Sequence, residues 1–382
     1  MPVACQKGRE IEGAAVKAQS QDSKRPLTVR AGQGSFCPWW RDSPVDPKAV
    51  AGAQLGAPAT MVTIDPLPSL STMLKWEGPF LAGVRVKPSL SVGEQVALLT
   101  RRGLIIDDEA VCAAFFGSNN YYRFSGYARY FQRAPHMGDD TFVPDTTFAE
   151  ICRVYDADEA LRTALIQPLA RVELLLRTHV ARVIADMHGP YSSFLREDFY
   201  TDIGNVEPTV ESCLRDIDRS KDRHILRYKG TEGNRGDYSK LPVWSAVEAW
   251  SFGTLSKAIE RGASGALDDA VATSVGVAKA GFAYRVRSLV YLRNRCAHHS
   301  RLWHHSVLDS GPTPNNVRSK AKRLAGQFEP RSVLDVIASL DDVAVRGKVA
   351  DPVLPLVVGQ YPRDSLFWDG LAHPQNPRDH KA

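Results

Sequence analysis

The chain has 382 residues and a formal net charge of +5; 43% of its residues are hydrophobic and 24% are charged. This length accommodates one large domain with extensions or two modest domains, and the composition is ordinary for a soluble globular protein. The small positive excess is compatible with a polyanionic partner without requiring one. The six cysteines lie far apart and form no CxxC pair, so we expect reduced thiols, no metal and no other cofactor.

The N-terminal part of the chain differs from the rest. Residues 1–75 are rich in Ala, Gly, Pro and Ser and show little periodicity, so they cannot bury enough apolar surface to offset the entropy of ordering. We predict that they are disordered or an upstream extension from a misassigned start, with Met61 or Met73 as the true start. No apolar signal core or membrane-spanning stretch occurs in the sequence, which predicts a cytoplasmic protein without a membrane partner.

Helical signals begin soon after Lys87. Ser91 and Glu94 form a capping-box pattern, which predicts a helix that stops near Gly103. Acidic residues at 107–108 are expected to cap a second short helix that ends at Gly117.

The longest helical pattern begins after Thr147, which forms a second capping box with Glu150. Apolar residues then recur every three or four positions over 151–183, which indicates one continuous buried stripe. Pro168 is expected to kink this helix or split it in two, because proline lacks the backbone N–H that an interior position needs.

Further helical patterns follow to the end of the chain, and few strand-like alternations interrupt them. Past residue 302 the pattern loosens, and the residues from about 363 onward look frayed. An all-α helical bundle is therefore predicted. The remaining predicted helices cover 207–229, 241–261, 266–275, 279–299 and 333–340.

The helix predicted over 279–299 carries the residues with the clearest chemical potential. Its apolar face, extended by one turn, reaches Arg293, while Asn294 and His298 form an i, i+4 pair beside it. A guanidinium on an apolar face is costly unless it is paired, so an anionic or polar group should meet it.

These side chains suit phosphodiester chemistry on RNA. An Arg side chain can hold a phosphate in a bidentate manner, and a histidine, with an ordinary pKa of about 6.5, can exchange a proton at cellular pH. When the 2′-hydroxyl of RNA is the nucleophile, no metal is needed. The alternative is that Arg293 and His298 are a satisfied structural pair at a helix C-terminus, where cations are favoured.

Over about 87–303 the chain resembles the Abi-like family, the abortive-infection proteins of bacteria. The matching segments occur in the family's order and are 87–90, 120–127, 171–177, 241–244, Glu248 with 251–255, and 293–303.

That family is similar to the HEPN superfamily of helical, usually dimeric proteins that are often RNases. The resemblance implies that Arg293, Asn294 and His298 occupy the catalytic motif RNxxxH, and that the motifs of two subunits meet in a composite site. It also implies a toxin-like role in defence against phage, with RNA as the substrate and an antitoxin as a potential partner. We accordingly predict a HEPN-like helical bundle with additional helices over 87–305, and a C-terminal extension over 306–382 with one amphipathic helix.

Other residues are candidates for supporting roles. Glu248 is a candidate for orienting His298 or Arg293, with a plain surface position as the alternative. The candidates for contacting RNA or supporting the site, each weighed against packing or structural ion pairing, are Tyr122, Arg123, Arg171, Arg177 and His299.

Two other function classes remain open on the sequence. A non-catalytic HEPN protein would bind RNA or a protein partner without cleaving anything. A DNA-binding regulator is disfavoured, because the sequence shows neither a helix-turn-helix signal nor a clustered basic stripe.

Overall fold

The computed structural model of the chain describes residues 88–204, 207–229, 238–307 and 313–378. The prediction of disorder or a misassigned start for residues 1–75, with Met61 or Met73 as the first residue, lies outside these ranges. The regular elements within them are helices and one small two-stranded hairpin. The all-α prediction is therefore confirmed.

Fourteen α-helices occur in the described ranges. In chain order they are α1 Val92–Arg101, α2 Glu109–Ser118, α3 Tyr121–Ala128, α4 Phe148–His188, α5 Thr209–Arg219, α6 Arg223–Leu226, α7 Val243–Ala249, α8 Phe252–Arg261, α9 Leu267–Val275, α10 Phe282–Ala297, α11 Asn315–Ala325, α12 Val333–Arg346, α13 Leu354–Gln360 and α14 Leu366–Ala372.

The first two helices begin where their capping residues predict. At the start of α1 the Ser91 hydroxyl accepts from the Glu94 amide at 3.3 Å, and the Glu94 carboxylate accepts from the Ser91 amide at 2.7 Å. Asp108 caps α2 by accepting from the amides of Ala110 and Val111. These side chains satisfy amides that the first helical turn leaves without partners, which fixes both starting points.

Helix α4 organises the bundle. Its 41 residues carry one buried apolar stripe, and α7, α9, α10 and α12 pack around it. Every apolar position predicted for this stripe is buried. The predicted split at Pro168 is wrong, because α4 runs through this residue without interruption. The neighbouring helices bury the stripe on both sides of Pro168, and this packing offsets the loss of one backbone hydrogen bond.

The helix predicted over 241–261 is in fact two helices, α7 and α8. Ser251 starts the second, because its hydroxyl accepts from the Thr254 amide at 3.1 Å. The carboxylate of Asp216 in α5 accepts from the Ser251 amide at 2.8 Å and from the Thr254 hydroxyl at 2.5 Å. A side chain distant in sequence therefore stabilises the break, which local periodicity does not reveal.

The C-terminal part holds four helices, α11 to α14, where one was predicted. Helix α12 packs against α4 and α10. The expectation of a frayed end from about 363 is wrong for α14, because Phe367, Trp368 and Leu371 are buried. These large apolar side chains anchor a helix of only 7 residues that would be marginal by itself.

The hairpin consists of β1, Gln132–Ala134, and β2, Asp139–Phe142, which pair antiparallel with Gln132 opposite Phe142. It lies between α3 and α4 in the chain, and the sequence pattern did not predict it. No helix in the described ranges is long and apolar enough to cross a membrane.

Candidate active site

Arg293 lies near the C-terminal end of α10, where the sequence predicted a costly guanidinium in need of a partner. The partner is Glu173 of α4, whose Oε2 lies 3.3 Å from Arg293 Nε. The guanidinium also lies over the Phe252 ring, 5.4 Å from its centre, and 26% of the side chain is exposed. Among the described residues the Nε–H has no hydrogen-bond partner. The contact with Glu173 is therefore a charge pair without hydrogen-bond geometry, and it leaves the guanidinium free to bind an anion.

Glu173 forms ion pairs with two arginines, Arg293 and Arg177. Its Oε1 lies 2.6 Å from Nη2 of Arg177, one turn further along α4. Arg177 is buried and also donates to the backbone carbonyl of Val247 in α7. Two guanidinium groups thus share one carboxylate, so the group formed by Arg177, Glu173 and Arg293 carries a formal net charge of +1, which favours the approach of an anion such as a phosphate.

Asn294 and His298 complete the predicted motif. Asn294 is partly exposed, and its backbone carbonyl accepts from the His298 amide at 2.9 Å. His298 ends α10 and its side chain is exposed, with no hydrogen bond or ion pair among the described residues. The alternative in which Arg293 and His298 satisfy each other is not observed there, since Arg293 pairs with Glu173 instead.

The segment after the motif is held against α3 by arginines. Arg123 of α3 donates to the backbone carbonyl of His299, and Arg301 donates to the carbonyl of Gly126. Arg295 Nε donates to the carbonyl of Arg301 at 2.9 Å, which closes the turn. His299 has a backbone φ of 54°. These contacts fix the direction in which the chain leaves α10 and therefore the place of the exposed imidazoles.

The buried carboxylate of Asp158 in α4 also holds the segment after the motif in place, and we call it the anchor of the motif. It accepts from the amides of Leu302 at 3.1 Å and Trp303 at 2.9 Å, and from the Tyr127 hydroxyl at 2.6 Å. It also forms an ion pair with Arg162, one turn along the same helix. Asp158 is not among the residues predicted for the site, although the sequence carries a signal for it: an aspartate falls at helical spacing within the apolar stripe of α4.

The aromatic residues of α3 divide into two groups. The interpretation that Tyr122, Phe124 and Tyr127 pack against the bundle is confirmed for Phe124 and Tyr127, which are buried, and is wrong for Tyr122, which is 84% exposed. Arg123 is exposed but is engaged with the backbone of His299. Tyr122 is thus the residue of this group that remains available to a ligand. Arg171 is likewise exposed, on α4.

Glu248 does not act on the motif in this structure. It is exposed on α7, and within the described ranges it forms no hydrogen bond or ion pair with Arg293 or His298. The carboxylate that pairs with Arg293 belongs to Glu173. No contact among the described residues therefore supports the orienting role predicted for Glu248. Glu248 instead lines shallow clefts beside Arg177 and Trp244.

The histidines that follow the motif also divide into two groups. His298 and His299 are exposed, whereas His304 stacks on Tyr130 with ring centres 4.3 Å apart. The ring of His305 lies parallel to that of Tyr291, which also contacts its Nε2. Burial, with help from Arg301, lowers the pKa of both His304 and His305 to about 4. These two imidazoles are neutral at cellular pH and serve packing rather than proton transfer.

Within 88–204, 207–229, 238–307 and 313–378, no group of three or more His, Cys, Asp and Glu side chains has the arrangement of a metal site. The four cysteines there, at 112, 152, 213 and 296, are free thiols.

Comparison with known proteins gives one match. A family model described as Abi-like protein matches residues 114–304, which include α3, α4, α10 and the motif. No curated protein matches the chain. No solved structure matches it either.

Proposed function

Since the chain belongs to the Abi-like family, we propose that it is an abortive-infection effector that cleaves RNA as a metal-independent endoribonuclease of the HEPN type. The observation that supports this most directly is the end of α10, where a guanidinium without hydrogen-bond geometry to its carboxylate precedes an exposed imidazole by five residues. An anion-binding group and a proton carrier on one helix end are what cleavage of a phosphodiester requires.

The reaction proposed is attack of the ribose 2′-hydroxyl on the adjacent phosphorus. The O2′–P bond forms and the P–O5′ bond breaks, which leaves a 2′,3′-cyclic phosphate and a free 5′-hydroxyl. One imidazole takes the proton from the 2′-hydroxyl, and a second proton goes to the departing O5′. Arg293 holds the phosphate oxygens while their negative charge increases in the transition state.

Two proton transfers call for two proton carriers, and each chain presents a single RNxxxH motif. We therefore propose a homodimer with a composite site, in which His298 takes one proton and His298 of the partner subunit delivers the other. Asn294 lies between Arg293 and His298 in the chain and would orient the bound phosphate. Light scattering should then show a dimer at micromolar concentration, and an active monomer would contradict the composite site.

The test is RNA cleavage in excess EDTA by the purified chain, with identification of the product ends. We expect cyclic phosphate ends without added metal, and a loss of rate on the order of 100- to 10,000-fold in His298→Ala, the range that positioned proton transfer supplies. His373→Ala is the matched control, because this exposed histidine directly follows α14 and its side chain pairs with Asp369. Cleavage that requires Mg²⁺, or that survives His298→Ala, would refute the mechanism.

The second candidate is an Abi-like protein that binds RNA or a protein partner, such as an antitoxin, without cleavage. The excess positive charge around Glu173 favours it as much as it favours catalysis. RNA retained intact, with Arg293→Ala weakening binding as much as His298→Ala, would support this candidate over the enzyme.

A further inference from the structure

Trp244 lies in the first turn of α7 and is 54% exposed, an unusual position for an indole. The ring of Tyr191, itself 50% exposed, lies 6.4 Å away at an angle of 60°. Two clefts open on either side of Trp244. An exposed pair of aromatic rings beside open clefts is a surface on which a flat ligand can stack.

We name one of these the aromatic cleft, a depression of about 330 Å³. Its walls are made by His224, Arg227, Tyr228, Pro242, Trp244 and Ser245. Two aromatic rings supply apolar faces, and Arg227 supplies an exposed cation at the edge. Glu248 also reaches this cleft and offers an acceptor for N–H groups.

Two polar atoms in the walls of the aromatic cleft lack partners. The Ser245 hydroxyl and Nε2 of His224 are both buried, and neither has a hydrogen bond among the described residues. A buried polar atom without a partner costs free energy, and such atoms are rare in folded proteins. Both residues line the same cleft as Trp244 and Tyr228, and a ligand with its own donors and acceptors would supply the missing partners.

The cleft on the other side of Trp244 leads toward the motif. The charged residues that line it are Arg177, Arg182, Asp186 and Glu248. Arg177 is bound to Glu173, and Glu173 is the carboxylate that meets Arg293. A chain of charged groups on α4 therefore connects the surface around Trp244 with the proposed phosphate-binding arginine.

From these observations we propose that the aromatic cleft binds an unpaired base of single-stranded RNA, and that the strand continues past Arg182 and Arg177 toward Arg293. Trp244 and Tyr228 stack on the base, while Ser245 and His224 form hydrogen bonds with its edge. Splayed bases held between aromatic rings with polar groups at their edges are how proteins recognise single-stranded RNA. This inference rests on the proposed function for its choice of RNA as the ligand.

The test measures binding of fluorescein-labelled homopolymeric single-stranded RNAs to the full chain carrying His298→Ala, which prevents cleavage. Trp244→Ala should weaken binding about 5- to 100-fold, the loss expected when one stacked base is released. Trp244→Phe keeps a stacking face and should stay within about threefold of the parent. Leu356→Ala is the matched control, because this apolar residue is also exposed, at 66%, but lies on α13 and lines neither cleft.

Ser245→Ala separates binding from stability. Removing an unpartnered buried hydroxyl should leave the melting temperature unchanged or raise it, while RNA affinity falls several-fold. Equal binding by Trp244→Ala and its parent, or an equal loss in Leu356→Ala, would overturn the assignment of the cleft. With His298 restored, Trp244→Ala should raise KM and leave kcat unchanged. If the chain binds RNA through Trp244 but cleaves none, the ribonuclease proposal is refuted and the proposal for the aromatic cleft is retained. If Trp244→Ala cleaves RNA with an unchanged KM, the proposal for the aromatic cleft is refuted and the ribonuclease proposal is retained.

Discussion

Asp158 accepts a hydrogen bond from the backbone amide of Trp303 at 2.9 Å, across 145 residues of sequence. This contact ties the segment that follows the RNxxxH motif to the N-terminal third of α4, the 41-residue helix. The same carboxylate is wholly buried and carries the ion pair with Arg162. The anchor of the motif is thus a charged group in the core. Its contribution to the stability of the fold depends on the presence of all its hydrogen-bond and ion-pair partners.

The first prediction concerns Asp158→Asn. The substitution leaves the Arg162 guanidinium buried without its counter-charge, and an Asn amide cannot accept from all of the donors that surround it. We expect a loss of about 3 kcal/mol in the free energy of unfolding, the lower end of the cost of breaking a buried ion pair. Urea unfolding followed by circular dichroism measures it.

Glu159→Gln is the matched control for Asp158→Asn. Glu159 is the next residue of α4 but is exposed. Its substitution should change the free energy of unfolding by no more than about 0.5 kcal/mol. Equal stability of the Asp158 and Glu159 variants would show that the buried carboxylate is not an anchor.

The second prediction concerns pH. Because the pKa of His304 and of His305 is lowered to about 4, the folded state holds both imidazoles neutral, while the unfolded chain protonates them below about 6.5. Their contribution to stability is therefore complete above pH 6.5 and is lost as pH falls toward 4. After allowance for the partly exposed ring of His305, we expect a loss of about 2–4 kcal/mol from the pair.

The measurement for the histidine pair is the free energy of unfolding at several pH values between 6.5 and 4. The double variant His304→Gln, His305→Gln should be less stable at neutral pH but show a flatter decline with acid. Burial also raises the pKa of Asp341 to about 6, which acts in the opposite direction. The difference between the two curves isolates the histidines, because Asp341 is common to both. Parallel curves would rule out the effect.

Much of the fold could be predicted from local pattern. The stripe of α4 is visible because buried residues on one helix face recur every three or four positions, and the caps at Ser91 and Asp108 act on amides within three residues. The division between α7 and α8 could not be predicted in this way. It depends on Asp216, whose carboxylate reaches Ser251 from another helix.

In the site, too, local sequence pattern predicts some features, while contacts between residues distant in sequence cannot be predicted from it. The position of Arg293 on the apolar face predicted a polar partner, and Glu173 is there. Which carboxylate pairs with Arg293 depends on the rotation of α4 relative to α10. This rotation cannot be predicted from the local sequence pattern. The same holds for Asp158, whose partners at 302 and 303 come from a turn with no periodicity of its own.

The third prediction concerns Glu173 as a positioning residue. Glu173→Gln removes the charge that holds Arg293 and Arg177 together, so Arg293 should lose its place beside the phosphate. We expect kcat for RNA cleavage to fall on the order of 10- to 100-fold. KM should not rise, because the variant carries more positive charge and attracts RNA at least as well.

Arg171→Ala provides the contrast to Glu173→Gln. Arg171 is exposed on the same helix, and if it contacts a phosphate, its loss should raise KM and lower the dependence of binding on salt by about one unit of slope, with kcat unchanged. Steady-state kinetics at several salt concentrations distinguishes the two patterns. A rise in KM for Glu173→Gln like that for Arg171→Ala would mean that Glu173 does not position Arg293.

The fourth prediction concerns Gly370 in α14, the helix that covers the motif's anchor. Its carbonyl accepts from the His304 amide at 2.9 Å, and a Cβ at this position would lie 2.1 Å from Nε1 of Trp303. Trp303 is fully buried and its amide is held by Asp158, so the indole cannot move aside. Gly370→Ala should therefore destabilise the chain by about 1–3 kcal/mol through overpacking.

Gly359→Ala is the matched control, because no atom lies within 4 Å of its added Cβ in α13. An alanine there should instead stabilise the fold by up to about 1 kcal/mol, since it improves helix propensity. Thermal unfolding of the two variants decides the matter: opposite shifts in melting temperature are expected, and equal shifts would mean that α14 does not hold Trp303 in place.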